Sequence, residues 1–203
     1  AAENGIVVFG SADSTVYGVS SANGKMIWKL KTQGPVLGAV RIVNGLAYIG
    51  ASDNKMRCID TKTGKEVWEY SGVTGYIVTR PLVTDGKVIF GAWDNTLYAL
   101  DASNGSEVWK WKGGKDGMHF SPASAWPVSA NGKVFIAAPD RYLTAIDLKH
   151  GVAHKRFYGA RINRNVGRRK NYIRKDNERQ RGLLLYRGKH AKRSMGFECR
   201  IRL

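Results

Sequence analysis

Residues 97–109 have the sequence LYALDASNGSEVW, and this stretch determines the fold because it recurs along the chain. It begins with four apolar or small residues, a pattern typical of a strand. Asp101 and Gly105 follow, four residues apart, as in a tight turn whose carboxylate accepts hydrogen bonds from turn amides and whose glycine is left-handed. Trp109 lies four residues further on. The stretch therefore predicts a strand, a turn and a second strand that carries an indole.

The same unit occurs four times in the chain. Each copy follows an Asn-Gly or Asp-Gly pair, and the glycines of these pairs are spaced 40, 41 and 46 residues apart. Such pairs favour tight hairpin turns, and a β-rich repeat of about 40 residues is typical of a propeller blade. The recurring residues to which we assign structural roles are Trp28, Trp68, Trp109, Asp60, Asp101, Asp147, Gly24, Gly64, Gly105 and Gly151.

Cys58 occupies a position of the repeat at which only small side chains occur. The other copies have Gly18, Ala99 and Ala145 there. Close packing between sheets explains why only small side chains occur at this position. We therefore interpret Cys58 as a buried packing residue rather than as a nucleophile or a redox sensor.

The pattern from Leu97 to Trp109, together with the similar segments that end at Trp28 and Trp68, resembles the tryptophan-docking repeat of the pyrroloquinoline-quinone (PQQ) propeller superfamily. The resemblance covers about residues 4–151. It implies blades of four strands, with each tryptophan docked against a neighbouring blade. We therefore predict an all-β, propeller-type array of four-stranded antiparallel blades. The first blade, 6–30, is expected to lack its innermost strand, and three nearly whole blades are expected at 35–71, 76–112 and 119–158.

The predicted array is incomplete, because propellers with this repeat usually close a ring of seven or eight blades. An unclosed array leaves sheet edges and one blade face exposed. Three alternatives follow: the chain is a fragment, it self-associates through these edges, or it closes in another way.

Positive charge is concentrated at the end of the chain. Residues 1–151 carry 16 Lys+Arg and 13 Asp+Glu, whereas residues 152–203 carry 17 and 3. The repeat signal stops at Lys155, where a tryptophan is expected, and only 183–186 has the pattern of a later strand. We therefore divide the chain into a repeat domain, 1–158, and a basic tail, 159–203.

Three interpretations of the tail stay open: a phosphate-binding arm, disordered charge, or a segment that is not the natural continuation of the gene. A nucleic-acid partner is expected only if the tail is genuine.

No apolar stretch is long enough for a transmembrane helix. The start Ala1-Ala2-Glu3 suits a processed exported protein, which predicts a periplasmic or secreted location.

Propellers usually bind ligands at the mouth of the central channel, on the loops that enter the innermost strands. The connection before the fourth repeat is five residues longer than the preceding one and is rich in glycine. Trp93 precedes a turn aspartate, so we expect its indole to be exposed at a loop tip. Our candidate ligand-binding residues at this mouth are Arg80, Trp93, Lys115, Asp116, His119 and Trp126; we assign no catalytic residue and no metal ligand.

Two functions compatible with the resemblance belong to different classes. A non-catalytic propeller, similar to the scaffold of bacterial outer-membrane protein assembly or to PQQ-like sensor regions, needs only the repeat and an accessible face for a protein or small ligand. The alternative is a fragment of a PQQ-dependent alcohol or aldose dehydrogenase. In the alcohol-oxidising enzymes of that type, Glu, Asn and Asp hold calcium and adjacent cysteines lie beside the quinone. This sequence has no Cys-Cys pair, and we can assemble no such oxygen-ligand set on one loop. We therefore favour binding or scaffolding without a cofactor, and expect PQQ and calcium only under the alternative.

Overall fold

The fold, seen in a computed structural model that describes residues 1–112, 122–137, 142–159, 172–174 and 183–185, is built from antiparallel sheets, as the sequence predicts. A single 3₁₀ turn, Pro122–Ser124, interrupts the strands of this described part. The first sheet contains β1 (Ala2–Glu3), β2 (Ile6–Ser11), β3 (Thr15–Ser20) and β4 (Met26–Lys31). The second contains β5 (Arg41–Val43), β6 (Leu46–Gly50), β7 (Met56–Asp60) and β8 (Glu66–Tyr70).

The remaining strands continue the same arrangement. The third sheet contains β9 (Leu82–Thr84), β10 (Lys87–Gly91), β11 (Thr96–Asp101) and β12 (Glu107–Lys112). The fourth contains β13 (Val128–Ala130), β14 (Lys133–Ala137), β15 (Tyr142–Asp147) and β16 (Ala153–Gly159), followed by β17 (Tyr172–Arg174) and β18 (Leu183–Leu185). Within each sheet, strands that follow one another in the chain are hydrogen-bonded neighbours.

The hairpin turns form where the Asn-Gly and Asp-Gly pairs predict them. Asp85 and Gly86, between β9 and β10, have φ angles of 48° and 67°. Two consecutive residues with positive φ match the right-handed twist of the strands that they join. The turn chemistry therefore sets where the first two strands of the third sheet meet.

The first sheet is more complete than the sequence predicts. Strand β1 pairs with β2 through Ala2 opposite Val7 and Glu3 opposite Ile6, and so takes the place of the innermost strand. A strand of two residues has too few side chains to show an alternating pattern, which is why the sequence does not reveal it. In the fourth sheet, the strand expected near 183–186 is present at Leu183–Leu185, whereas β17 has no signal in the sequence.

The sheets pack face to face in chain order. Val8 and Val16 of the first sheet share a core with Ile49 and Ile59 of the second. Equivalent cores lie between the second and third sheets and between the third and fourth sheets. The innermost strands are also in contact from one sheet to the next, β1 with β5, β5 with β9 and β9 with β13. The four sheets are therefore consecutive blades of an unclosed propeller.

Candidate binding surface

Three tryptophans bridge neighbouring sheets. The indole Nε1 of Trp28 donates a hydrogen bond of 2.7 Å to the carbonyl oxygen of Thr61 in the next sheet. Trp68 donates in the same way to Ala102 at 3.1 Å, and Trp109 to Leu148 at 3.0 Å. All three indoles are buried. Each ring therefore buries its apolar body between two sheets while its polar N–H group is hydrogen-bonded.

Small residues surround each of these indoles. Gly18 pairs directly with Trp28, Cys58 with Trp68 and Ala99 with Trp109. On the receiving sheet, a Cβ atom added to the turn glycine Gly105 would lie 2.6 Å from the Trp68 ring, well inside van der Waals contact.

Cys58 is fully buried, as predicted from the small residues at the equivalent positions of the other repeats. Burial raises the pKa of its thiol to about 12. The sulfur is therefore a protonated packing group at neutral pH rather than a thiolate nucleophile.

The turns between the second and third strands lie at the same end of the sheets as the segments that connect one sheet to the next. The amide of Gln33 donates to Asp53 Oδ2 at 3.1 Å, and the amide of Thr74 donates to Asp94 Oδ2 at the same distance. The amide of Trp93 donates to the carbonyl of Tyr76 at 3.0 Å. We call this end of the molecule the connection end.

Asp53 also holds a buried ion pair at the connection end. Two nitrogens of the Arg57 guanidinium bind its carboxylate oxygens, at 3.1 and 2.6 Å. Only 4% of the Arg57 side chain and 3% of the Asp53 side chain are exposed. Arg57 further contacts Glu66 at 3.2 Å and Glu69 at 3.0 Å. These carboxylates therefore neutralise a buried arginine.

Arg80 and Trp126 occupy equivalent positions in consecutive connections. Each lies two residues before the innermost strand of its sheet, β9 or β13. Those two strands are in contact, and both positions lie at the connection end. Arg80 is half-buried, and 63% of the Trp126 surface is exposed.

Trp93 lies on the same end of the molecule, in the turn between β10 and β11, and 37% of its surface is exposed. Two further exposed apolar side chains, Leu37 and Tyr76, lie in the connections themselves. The sequence analysis missed these two, although an apolar residue inside a glycine- and proline-containing connection was an available signal. We define the connection-end surface as Leu37, Tyr76, Arg80, Trp93 and Trp126.

The other candidate residues, Lys115, Asp116 and His119, lie outside the described residues. In the described ranges there is no group of three or more His, Cys, Asp or Glu side chains that could hold a metal ion. Nor does any helix in those ranges have the length and apolar character needed to cross a membrane.

Comparison with known proteins identifies the family. The sequence model of a family described as outer membrane protein assembly factor BamB matches residues 12–170. The chain belongs to this family of PQQ-like β-propeller repeat proteins. A comparison with curated protein sequences finds no match.

Solved structures share the fold. BamB from Moraxella catarrhalis is similar with a TM-score of 0.68 and 19% identity, over 85% of this chain and 56% of that protein. Quinohemoprotein alcohol dehydrogenase from Comamonas testosteroni is similar with a TM-score of 0.62 and 20% identity, over 77% of this chain and 34% of the enzyme. The computationally designed protein Ika4 has a TM-score of 0.62 and 21% identity, over 72% of this chain and 87% of the design. The chain thus spans little more than half (56%) of the length of the Moraxella protein.

Proposed function

We propose that this chain is a non-catalytic propeller protein that binds a protein partner and acts as a scaffold in outer-membrane protein assembly. The family to which it belongs is named for that process. The proposal places the chain in the periplasm, and it requires no cofactor.

The observation that carries the proposal is the connection-end surface. Tyrosine, tryptophan and arginine are the residues that most often dominate the binding energy of protein interfaces. Here Tyr76, Trp93 and Trp126 expose aromatic area at the same end of the sheets as the half-buried Arg80. A partner that covers the three rings would gain apolar burial and would meet the positive charge of Arg80. Side chains of this kind suit a protein partner with an apolar patch and a nearby carboxylate.

The tryptophan contacts support the same proposal. The surface combines residues from successive connections, so it keeps its shape only while the sheets keep their relative orientation. We infer that Trp28, Trp68 and Trp109 act as docking groups that hold the blades in register, together with the turn residues that receive them.

Site-specific photocrosslinking in the source cell tests the partner. A photoreactive residue replaces Trp126 in one variant and Val108 in a matched control, since Val108 is exposed on the outer strand β12. We expect the Trp126 position to crosslink to a component of outer-membrane protein assembly and the Val108 position not to do so. The double variant Trp93→Ala/Trp126→Ala should lower both the crosslink and the level of outer-membrane proteins. Equal crosslinking from both positions would contradict the proposal.

The alternative, a fragment of a PQQ-dependent dehydrogenase, gives a different result in a simple assay. The purified chain is incubated with PQQ and Ca²⁺, and dye-linked alcohol oxidation is measured. The scaffold proposal predicts no turnover above that of PQQ alone. Turnover that rises in proportion to protein concentration would establish the alternative.

A further inference from the structure

Asparagine followed by glycine occurs five times in the chain, and all five pairs lie at turns that the structure describes. They are Asn4-Gly5, Asn23-Gly24, Asn44-Gly45, Asn104-Gly105 and Asn131-Gly132. This dipeptide is prone to spontaneous deamidation, because glycine has no Cβ atom to keep its nitrogen away from the preceding side chain. Since the five pairs share one dipeptide, the structure around each pair should decide how fast it reacts.

Deamidation of such a pair is an intramolecular reaction followed by hydrolysis. The glycine nitrogen attacks Cγ of the asparagine; the new N–Cγ bond forms as the Cγ–Nδ2 bond breaks, and the proton of the glycine N–H group leaves with ammonia. Water then opens the resulting cyclic imide at either of its carbonyls, which gives aspartate or its β-linked isomer isoaspartate. A glycine N–H group that donates a hydrogen bond must break that bond before it can react, so the bond slows ring closure.

The Asn104-Gly105 pair is held in three ways. The amide of Gly105 donates to the carbonyl of Asp101 at 2.9 Å, and the side-chain oxygen of Asn104 accepts from the amide of Ser106 at 2.9 Å. Gly105 is also buried, and a Cβ atom added there would lie 2.6 Å from the Trp68 ring. The ring leaves little room for the backbone to turn toward the asparagine side chain, so this pair should be the slowest to react.

The Asn23-Gly24 pair has the same two hydrogen bonds without the ring. The amide of Gly24 donates to the carbonyl of Ser20 at 2.8 Å, and the side-chain oxygen of Asn23 accepts from the amide of Lys25 at 3.0 Å. Both residues of the pair are exposed, and a Cβ atom added to Gly24 would meet nothing within 4 Å. Comparison of this pair with Asn104-Gly105 therefore isolates the effect of burial.

A carboxylate from the first sheet protects the Asn44-Gly45 pair. The amide of Gly45 donates to Glu3 Oε2 at 3.0 Å, and this bond joins β1 to the hairpin turn of the second sheet. Loss of the glycine proton would break the bond and would place negative charge beside the carboxylate, which opposes the reaction. The contact should therefore slow the deamidation of Asn44, although its φ angle of 52° is close to those of Asn4 and Asn131.

Asn4 and Asn131 have none of these protections. Both lie at exposed hairpin turns together with their glycines, and the amides of Gly5 and Gly132 donate to no acceptor among the described residues. We propose that Asn4 and Asn131 are the sites at which the folded chain deamidates spontaneously, while the fold shields the other three asparagines. Each event adds one negative charge to the hairpin that joins the two innermost strands of the first or fourth sheet. This inference goes beyond the proposed function and does not depend on it.

Peptide mapping by mass spectrometry tests the proposed order of reactivity. The native 203-residue chain is incubated in mildly alkaline buffer, and the conversion of each asparagine is followed by the mass change from amide to carboxyl group. We expect Asn4 and Asn131 to deamidate at least about fivefold faster than Asn23 and Asn44, and Asn104 to be the slowest of the five. Conversion of Asn104 as fast as that of Asn131 would overturn the proposal.

The unfolded chain provides the control for local sequence. In concentrated urea the five pairs keep their neighbours in the sequence but lose their turns and hydrogen bonds, so we expect their rates to converge. If the native order of rates persisted in urea, it would belong to the local sequence, and the proposed role of the fold would be wrong.

The variant Glu3→Ala tests the contact that protects Asn44, with Asn131 as the reference in the same sample. Removal of the carboxylate should raise the rate at Asn44 toward that at Asn131 and leave the rate at Asn131 unchanged. An unchanged rate at Asn44 would show that the bond from Gly45 to Glu3 does not shield it. A rise of both rates would mean that the variant loosens the fold generally, which contradicts a specific role of Glu3.

Discussion

Each bridging tryptophan makes its full set of packing and hydrogen-bond contacts only when two sheets pack together. Trp68 shows this best, because its ring lies opposite Cys58 in its own sheet, above Gly105 of the next, and its N–H group reaches the carbonyl of Ala102. A small residue on one side and a glycine on the other leave room for the ring. The three positions therefore act as one unit, although they are separated in the sequence.

Replacing one bridging indole should strongly destabilise the fold. Trp68→Ala removes a large buried ring and leaves the Ala102 carbonyl without its indole donor, so we expect the free energy of unfolding to fall by about 3–5 kcal/mol. Urea denaturation followed by circular dichroism measures the change. The control is Val67→Ala at the exposed neighbouring position, which should change the free energy by less than about 0.5 kcal/mol. Comparable losses for both variants would contradict the assigned role of the indole.

Two turn glycines with the same conformation should respond differently to substitution. Gly105→Ala and Gly24→Ala each add a side chain to a left-handed residue, which costs about 1–2 kcal/mol. At Gly105 the new methyl group also overlaps the Trp68 ring, and we expect a further loss of about 1–3 kcal/mol. The measurement is the difference between the unfolding free energies of the two variants. Equal destabilisation would show that the indole does not pack against Gly105 as described.

At the scale of elements, turn aspartates join the second and third sheets to the connections that precede them. Asp53 accepts a hydrogen bond from Gln33 in the connection and binds Arg57 in β7. In the third sheet, Asp94 accepts from Thr74 and from the hydroxyl of Tyr98. Arg57 and Tyr98 therefore occupy equivalent positions, and each binds the turn aspartate four residues before it. Burial opposes ionisation of Asp53, but its bonds with Arg57 and the amides of Gln33 and Lys55 outweigh burial and lower its pKa.

The Asp53 carboxylate should make stability depend on pH. Because its pKa is lower in the folded state, its contribution is complete above the ordinary aspartate pKa of about 3.9 and is lost as the pH falls through the folded value. We expect Asp53→Asn to destabilise the protein by about 3 kcal/mol at pH 7. The difference from the wild type should shrink as the pH falls below about 4. Urea unfolding of both proteins from pH 7 to pH 2 provides the test; a constant difference would show that ionisation of Asp53 does not contribute.

At the scale of the whole molecule, the sheets differ in how many of their faces are covered. The third sheet lies between two others, whereas no sheet among the described residues covers the face of the first that carries Phe9 and Tyr17. Local opening costs least where fewest apolar contacts are lost. We therefore expect the first and third sheets to differ in local stability although both are four-stranded with the same strand order.

Hydrogen exchange should reveal this difference. We expect the backbone amides of β2 and β3 to exchange faster than those of β10 and β11, because the third sheet can open only by breaking contacts on both faces. Mass spectrometry of peptic peptides from the native chain measures both pairs in one experiment. Equal protection of the two pairs would indicate that the face of the first sheet is already covered.

More of the fold than of the candidate site could be predicted from the sequence. The four-stranded blades, the buried Cys58 and the exposed Trp93 all follow from positions in the repeat, and the structure has them; the innermost strand of the first blade, β1, was not predicted. The Asp53–Arg57 pair could not be predicted, because Arg57 takes the place that tyrosine has in the first and third copies. The assignment of Lys115, Asp116 and His119 to the site stays a prediction.

The sequence by itself determined the number of repeats, the turns and the positions of the indoles, because each depends on residues only a few positions apart. The tertiary structure decided which carbonyl receives each indole, which carboxylates surround Arg57, and that Leu37 and Tyr76 are exposed at the same end of the sheets as Trp93. These features depend on groups from different repeats, which become neighbours only when the sheets pack. The turn at Gly24 shows the same dependence: its glycine has a positive φ like Gly64 and Gly105, but no indole lies beside it, because no described sheet covers that side of the first sheet.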